Sequence, residues 1–142
     1  MANPHEVLAR CHEHCEAEAA FDVDRVLATL VPEPAYAFFP QAQGMSGRPL
    51  VERFYREQYP RFAAQVSDYT LLGEWCNHDS ALQEYRIGIR GRTGPPSSYR
   101  VMSVMPVDED SGLIQGERLY ADEAFVQALL GPLAAHLVPL SP

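Results

Sequence analysis

The 142-residue sequence contains no lysine, and its eleven basic residues are all arginines that form no basic run. Without a lysine amine, the chain cannot form a Schiff base with a carbonyl substrate or with pyridoxal phosphate. The formal net charge of −8 argues against nucleic acid and anionic membranes as partners. The sequence also lacks a glycine-rich phosphate-binding loop, so we expect no organic cofactor.

Cysteines are few, and long apolar runs are absent. Three cysteines are a low and odd number for the disulfide framework of a secreted protein, and they suit a reducing compartment. The first ten residues, "MANPHEVLAR", contain no apolar signal core, and no apolar run is long enough to span a bilayer. We therefore expect a cytoplasmic protein.

Apolar residues make up 46% of the chain, which is enough to form a folded core. Hydrophobic periodicity predicts the order α-α-β-α-β-β-β-β-α in a single domain over 1–142, with its core at 4–131 and a C-terminal tail at 132–142. The third helix is predicted to end at Pro60, and "QAQGMSGR" before it to be a loop. This order is typical of the α+β class, with a curved antiparallel (mixed) sheet wrapped around helices to enclose an apolar pocket.

Two cysteines and two histidines lie close together in "CHEHCEAE" at residues 11–18. The cysteines fall on the apolar face of the first helix, which favours buried free thiols. His12 and His14 are about 200° apart around a helix, so they cannot both face one metal with the cysteines. A zinc site would need a second ligand pair, for which Cys76 and His78 are the candidates. We expect no metal.

His14 and Glu18 form a polar pair one helical turn apart at the edge of that apolar face. A polar pair directed into the interior needs hydrogen-bond partners or a cavity. Two plainer interpretations stay open: a satisfied core histidine, or a surface pair if the helix is rotated slightly.

Three stretches of the sequence, in this order, resemble the nuclear-transport-factor-2-like (NTF2-like) superfamily, and specifically its SnoaL-like branch. They are "HCEAEAAFDVDRVLATLV", "GRPLVERFYREQYPRF" and "LIQGERLYADEAFVQALLG". The resemblance implies a cone-shaped α+β barrel that forms a homodimer through the open face of its sheet. It also implies polar residues inside an apolar cone, where a dry pocket shifts carboxylate pKa values towards neutral.

The resemblance implies roles for several residues. Asp122, in "YAD", matches the acid/base of SnoaL-type cyclases, although a helix N-cap alone would also explain it. His14 matches the position of an oxyanion-stabilising tyrosine in ketosteroid isomerases. Strand alternation places Tyr120 on the same face as Asp122. The catalytic candidates are therefore His14, Tyr120 and Asp122, and the ligand-binding candidates are Glu18, Tyr36, Phe38, Phe54, Trp75, Met102 and Arg118.

The sequence also departs from these relatives. Where ketosteroid isomerases have an Asp before a Pro, this chain has Phe38 and Phe39 before Pro40. Where the cyclases have a histidine, it has Arg90 or Arg92. Neither mechanism can therefore be transferred unchanged.

Two functions remain. The first is a cofactor-independent lyase, isomerase or cyclase acting on a hydrophobic small molecule, in which His14 or Asp122 moves a proton and Tyr120 or Arg118 stabilises negative charge. The alternative is a non-catalytic ligand-binding or dimeric accessory protein. The strand "YRVMSVMPV" has apolar residues on both faces, which favours a homodimer. A displaced pKa in the pocket would favour the enzyme, and fully satisfied polar groups would favour the binding protein.

Overall fold

The computed structural model describes residues 3–141, so the predicted domain and tail extend outside the described residues at positions 1, 2 and 142. The chain begins with helices α1 (Pro4–Ala19) and α2 (Val23–Ala28). Asn3 and Glu6 form a capping box at the start of α1, and the Asp22 side chain accepts a hydrogen bond from Arg25 N–H at the start of α2. Both caps are local patterns that the sequence shows directly.

Most of the remaining chain forms one seven-stranded sheet. Its strands are β1 (Leu30–Phe39), β2 (Gln43–Ser46), β3 (Val66–Cys76), β4 (Ser80–Ile89), β5 (Ser97–Pro106), β6 (Ile114–Tyr120) and β7 (Val138–Pro139). Their spatial order is β3-β4-β5-β6-β1-β2-β7, and β1 with β6 is the parallel pair. The sheet is mixed and open, with β3 and β7 at its edges. This confirms the predicted α+β class.

Strand β2 lies within the segment predicted to be a loop, so that prediction was wrong at residues 43–46. The segment is short and contains glycine, so its own sequence favours a strand only weakly. It is extended because it pairs with β1 on one side and with β7 on the other. The same pairing holds part of the predicted C-terminal tail against the sheet.

The third helical segment does not end at Pro60 as predicted. It consists of α3 (Arg48–Arg53), a π-helical stretch (Phe54–Gln58) and α4 (Tyr59–Gln65). The backbone N–H of Tyr59 bonds to Phe54 O, five residues back. Pro60 therefore enters at the first turn of α4, where a missing N–H is tolerated.

The two faces of the sheet have different surroundings. Phe38, Leu119, Ser103 and Gln83 form a cross-strand row on the inner face, beneath the helices. The two neighbouring rows face outwards. One contains Trp75, Leu82, Val104 and Arg118, and the other contains Glu84, Met102, Tyr120 and Phe39. This inner row lines the interior, whereas the two rows beside it do not.

Helix α1 packs on the inner face against β3 and β4. Helix α5 (Glu123–Leu130) follows β6 and packs against α4, and a 3-10 helix (Gly131–His136) leads to β7. None of the helices within residues 3–141 is both long and apolar enough to cross a membrane.

Candidate active site

A cavity of about 440 Å³ lies between the inner face of the sheet and the helices. Its wall is mostly apolar and aromatic, and includes Phe38, Phe54, Phe62, Tyr85, Leu119 and Phe125. Two further lining residues are half exposed, Phe21 at 52% and Tyr69 at 53%, so they mark the mouth. Phe21 follows α1 and Tyr69 lies on β3. The mouth therefore opens between the first helix and the sheet.

His14 lies behind the cavity wall and is fully buried. The Thr29 hydroxyl donates to Val26 O at 2.6 Å, so its oxygen accepts the Nδ1–H of His14 at 2.7 Å. This pair of bonds leaves Nε2 of the neutral ring as an acceptor, near Glu18, Glu117 and the Tyr55 hydroxyl. Burial lowers the pKa of His14 to about 4, which keeps the ring uncharged at neutral pH.

Two carboxylates meet at this Nε2. Glu18 Oε1 is 3.3 Å from it and Glu117 Oε2 is 3.9 Å from it, although 99 residues of chain separate the two glutamates. Burial, and then the charge of Glu117, raises the pKa of Glu18 well above its ordinary value. Burial likewise raises the pKa of Glu117 to about 7. Two such close carboxylates cannot both ionise freely, so the pair retains a proton at neutral pH.

The hydrogen-bond partners distinguish the two carboxyl groups. Glu117 accepts the Ser103 hydroxyl at 3.0 Å, and the hydrogen bonds of Ser103 and Tyr36 act against the rise in its pKa. Glu18 has a neutral imidazole as its neighbour, to which a protonated carboxyl can donate. Glu117 therefore ionises first, while Glu18 keeps its proton. This is the arrangement of a base beside an acid.

Two tyrosines join the carboxylates. The Tyr55 hydroxyl donates to Glu18 Oε2 at 3.2 Å and lies 2.6 Å from the Tyr36 hydroxyl. Tyr36 is the register partner of Glu117 on the parallel pair of strands. Each phenol has one proton, so the order Glu18–Tyr55–Tyr36–Glu117 is a chain of groups that can reverse its hydrogen bonds together.

The backbone around Gly116 turns Glu117 inwards. Gly116 has φ of +138°, and a Cβ at this position would collide with the carbonyl oxygen of Ala35. Ile114 and Gly116 are both buried, yet Glu117 also lines the cavity, so strict strand alternation breaks at the glycine. The irregularity requires glycine and sets the face on which Glu117 lies.

Among residues 3–141, His14, Glu18 and Glu117 form the one group of metal-ligating side chains whose ligand atoms all lie within 4.8 Å of one another. An imidazole nitrogen and two carboxylates suit several divalent cations. The cysteine–histidine pair at 76–78 is exposed and does not join such a group within the described chain. That no metal is used stays a prediction.

Half of the sequence-derived candidates lie at this site. Glu18, Tyr36, Phe38 and Phe54 line the cavity, and His14 lies directly behind Glu18. The structure brings these five residues together. Whether they act in catalysis stays a prediction.

The remaining candidates lie elsewhere. Tyr120 and Arg118 are exposed on the outer face of the sheet, on the same rows as Met102 and Trp75. Asp122 is exposed, and its carboxylate accepts the Ala124 N–H at 2.8 Å as the N-cap of α5. The side chains of these five residues do not line the cavity.

Sequence reasoning missed Glu117 and Tyr55. The alternation that grouped Arg118 with Tyr120 also places Glu117 and Leu119 on the opposite face, but alternation does not say which face is inside. The preceding glycine was the available signal for Glu117. The position of Tyr55 depends on the π-helical turn, for which the sequence gives no signal.

No protein-family model and no curated protein matches the chain. Among solved structures, an LEH-like epoxide hydrolase from M. tuberculosis is similar, with 21% identity, a TM-score of 0.64, and 94% of this chain and 96% of that chain covered. An NTF2-like protein from Burkholderia xenovorans LB400 has 12% identity and a TM-score of 0.64, covering 91% and 99%.

A further similar structure is an uncharacterised bacterial protein with a cystatin-like fold from Silicibacter pomeroyi DSS-3. It has 15% identity and a TM-score of 0.65, with 89% of this chain and 84% of that chain covered. Identities this low establish the fold and leave the activity open. The chain therefore has the NTF2-like, or cystatin-like, fold that its sequence resemblance predicted.

Proposed function

We propose that the protein is a cofactor-independent enzyme of the lyase, isomerase or cyclase type that transfers protons on a hydrophobic small molecule. One observation carries this proposal: Glu18 and Glu117 lie together, beside His14, at the polar part of an otherwise apolar cavity. Two carboxylates that are largely removed from solvent destabilise a fold that could use apolar residues there. Their retention is readily explained by acid–base chemistry.

The roles follow from the protonation states. Ionised Glu117 accepts a proton from a carbon next to a carbonyl group, and negative charge develops on the substrate oxygen. The Tyr36 hydroxyl or the protonated carboxyl of Glu18, both of which line the cavity, donates a hydrogen bond to that oxygen, and Tyr55 positions the two through its own hydrogen bonds. Glu117 then returns the proton to another atom of the substrate, which completes an isomerisation without any other reactant.

The first chemical step can be tested without the natural substrate. We would incubate the protein with 2-tetralone and 2-decalone in D₂O and follow loss of the α-proton signals by NMR. Exchange above the buffer rate is expected, and Glu117→Gln should lower it by about a hundredfold or more, because the base is removed. Glu16→Gln is the matched control, because Glu16 is exposed on the same helix as Glu18.

The second candidate function is ligand binding without turnover. It is favoured by the hydrogen bonding, because every buried side-chain nitrogen and oxygen within residues 3–141 has a partner. A fully satisfied polar cluster is what a binding protein needs. If the parent and Glu117→Gln exchange the ketone protons at the same rate as buffer, the enzyme proposal fails and this second function is favoured.

A further inference from the structure

The cavity wall is acidic and aromatic, and none of its side chains is cationic. Its acidic groups are the carboxyl groups of Glu18 and Glu117, and nine of its lining residues are aromatic. The arginine next to Glu117 in sequence, Arg118, is exposed on the outer face of the sheet. A ligand with a carboxylate or phosphate would therefore meet like charge in a region of low dielectric, with no cation to offset it.

The spacing of the two carboxylates fits a protonated amine. Their ligand atoms lie within 4.8 Å of each other and of His14 Nε2. An ammonium nitrogen about 2.8 Å from each of two oxygens can bridge oxygens up to about 5.6 Å apart. It would also neutralise the pair, which removes the repulsion that favours protonation of one partner.

Aromatic rings line the rest of the cavity, and four of them pair near the mouth and the carboxylates. The ring centroids of Phe21 and Tyr59 are 5.9 Å apart, and those of Tyr69 and Tyr85 are 5.3 Å apart. Burial and then the charges of the two glutamates raise the pKa of Tyr59 and Tyr85, so both phenols lie within the field of those carboxylates. Aromatic faces attract cations within about 6 Å of the ring centroid.

We propose that this cavity binds hydrophobic organic ammonium ions, with a protonated amine between Glu18 and Glu117 and an apolar skeleton against the aromatic wall. The proposal names the ligand class of the active site described above and so rests on the cavity being a small-molecule site. Carboxylates would select the charge of the ligand, and the aromatic wall would select its apolar part.

A series of three rigid probes separates charge from shape. Isothermal titration calorimetry of the 142-residue chain would use 1-adamantylamine, 1-adamantanol and 1-adamantanecarboxylate, which share one skeleton. We expect the amine to bind at least about tenfold more tightly than the alcohol, because it gains charge-assisted hydrogen bonds. The carboxylate should show no binding. Equal affinity for amine and alcohol, or measurable binding of the carboxylate, would overturn the proposal.

Variants then assign the selectivity to the two glutamates. Glu117→Gln and Glu18→Gln should each remove most of the advantage of the amine over the alcohol, whereas Glu16→Gln removes one negative charge from the surface and should retain it. If Glu16→Gln weakens amine binding as much as the cavity variants do, the effect is one of net charge and the proposal fails.

A measurement on the unmodified protein covers the case in which a variant does not fold. A bound ammonium ion favours ionised carboxylates, so binding near pH 7 should release protons to the buffer. Titrations in phosphate and in Tris, whose ionisation enthalpies differ, report that release, and its absence would contradict the proposal. If the amine does not bind more tightly than the alcohol but the protein still exchanges the ketone protons, only the proposed ligand class is rejected. If the amine binds as expected but the ketone protons do not exchange, only the proposed enzyme activity is rejected.

Discussion

At the scale of single residues, the site depends on a charge that folding makes unfavourable. In the unfolded chain Glu117 loses its proton near its ordinary pKa of 4.5, whereas burial holds the proton until about pH 7 in the folded protein. Between these values the folded state binds more protons, so its stability falls as the pH rises through this window. Glu18 acts in the same direction, because its pKa is also raised.

His14 has the opposite effect. Burial lowers its pKa from 6.5 to about 4, so the folded state binds fewer protons between these values and loses stability as the pH falls through them. The histidine and the carboxylates therefore oppose each other in mildly acidic solution. Above about pH 6.5 the histidine no longer changes the stability, whereas the carboxylates still do.

Glu117→Gln should therefore stabilise the protein at pH 8 and change it little at pH 5. Removing the buried charge should add on the order of 1–2 kcal/mol to the free energy of unfolding at pH 8, which raises Tm by about 3 °C or more. Differential scanning calorimetry at both pH values measures this. Glu16→Gln should have the same stability as the parent at both pH values. A Glu117→Gln protein that is less stable than the parent at pH 8 would contradict the raised pKa of Glu117.

Tyr55→Phe should slow ketone exchange, although Glu18 and Glu117 both remain in place. The change removes the donor to Glu18 and one end of the 2.6 Å bond to Tyr36, so we expect exchange to fall by about tenfold or more. The alkaline limb of the pH–rate profile should also move to higher pH, because the bond from Tyr55 lowers the pKa of Glu18, the proposed acid, and its loss raises that pKa. Tyr99→Phe, at a position that does not line the cavity, should leave rate and profile unchanged. Equal effects of the two variants would argue against a specific role for Tyr55.

At the scale of secondary-structure elements, Asp122 is the N-cap of α5 and lies outside the cavity. Asp122→Ala removes the bond from Ala124 N–H, which should cost about 1 kcal/mol of stability and lower Tm by about 3 °C. Ketone exchange and amine binding should be unaffected, because Asp122 does not line the cavity. Asp122→Ser keeps a capping oxygen and should retain the stability of the parent. Loss of exchange in both variants at full stability would place Asp122 in the mechanism.

Element ends and cavity residues differ in how well the sequence predicts them. The caps at Asn3 and Asp22 depend on neighbours within three residues, so the sequence shows them. The pair His14 and Glu18 follows from helix periodicity in the same way. Glu117 could not be assigned to a face of the sheet from the sequence. Alternation groups the residues into two faces without saying which face is inside, and the backbone irregularity at Gly116 decides it. The π-helical turn that carries Tyr55 is an insertion in the helix repeat, which periodicity does not detect.

At the scale of the whole molecule, the outer face of the sheet remains the candidate for contact with a second copy. Trp75 and Tyr120 are 53% and 45% exposed there, with Met102 and Val104 between them on adjacent strands. The face also carries both signs of charge, including Glu84 beside Arg100 at 3.4 Å, so two copies related by a two-fold axis can be complementary. We propose this face as the homodimer interface.

Val104→Glu tests that proposal. A carboxylate at the middle of the face should convert a dimer into a monomer, because it would be buried without a partner. Size-exclusion chromatography with light scattering measures the mass against the 15.8 kDa of one chain. Gln127→Glu adds the same charge on the exposed side of α5 and should remain dimeric. A monomeric parent protein, or a dimeric Val104→Glu, would rule out this interface.

The central position of β6 has a consequence for how the protein is made. This strand joins β3-β4-β5 to β1-β2-β7, and it carries Glu117, whereas His14 and Glu18 lie near the start of the chain. The parallel β1–β6 pair therefore forms late in synthesis, after most of the chain has left the ribosome, and contacts of such long sequence separation form slowly. Until then the nascent chain has one of its two carboxylates, and the strands β3-β4-β5 and β1-β2 are not yet joined, so their exposed edges favour aggregation.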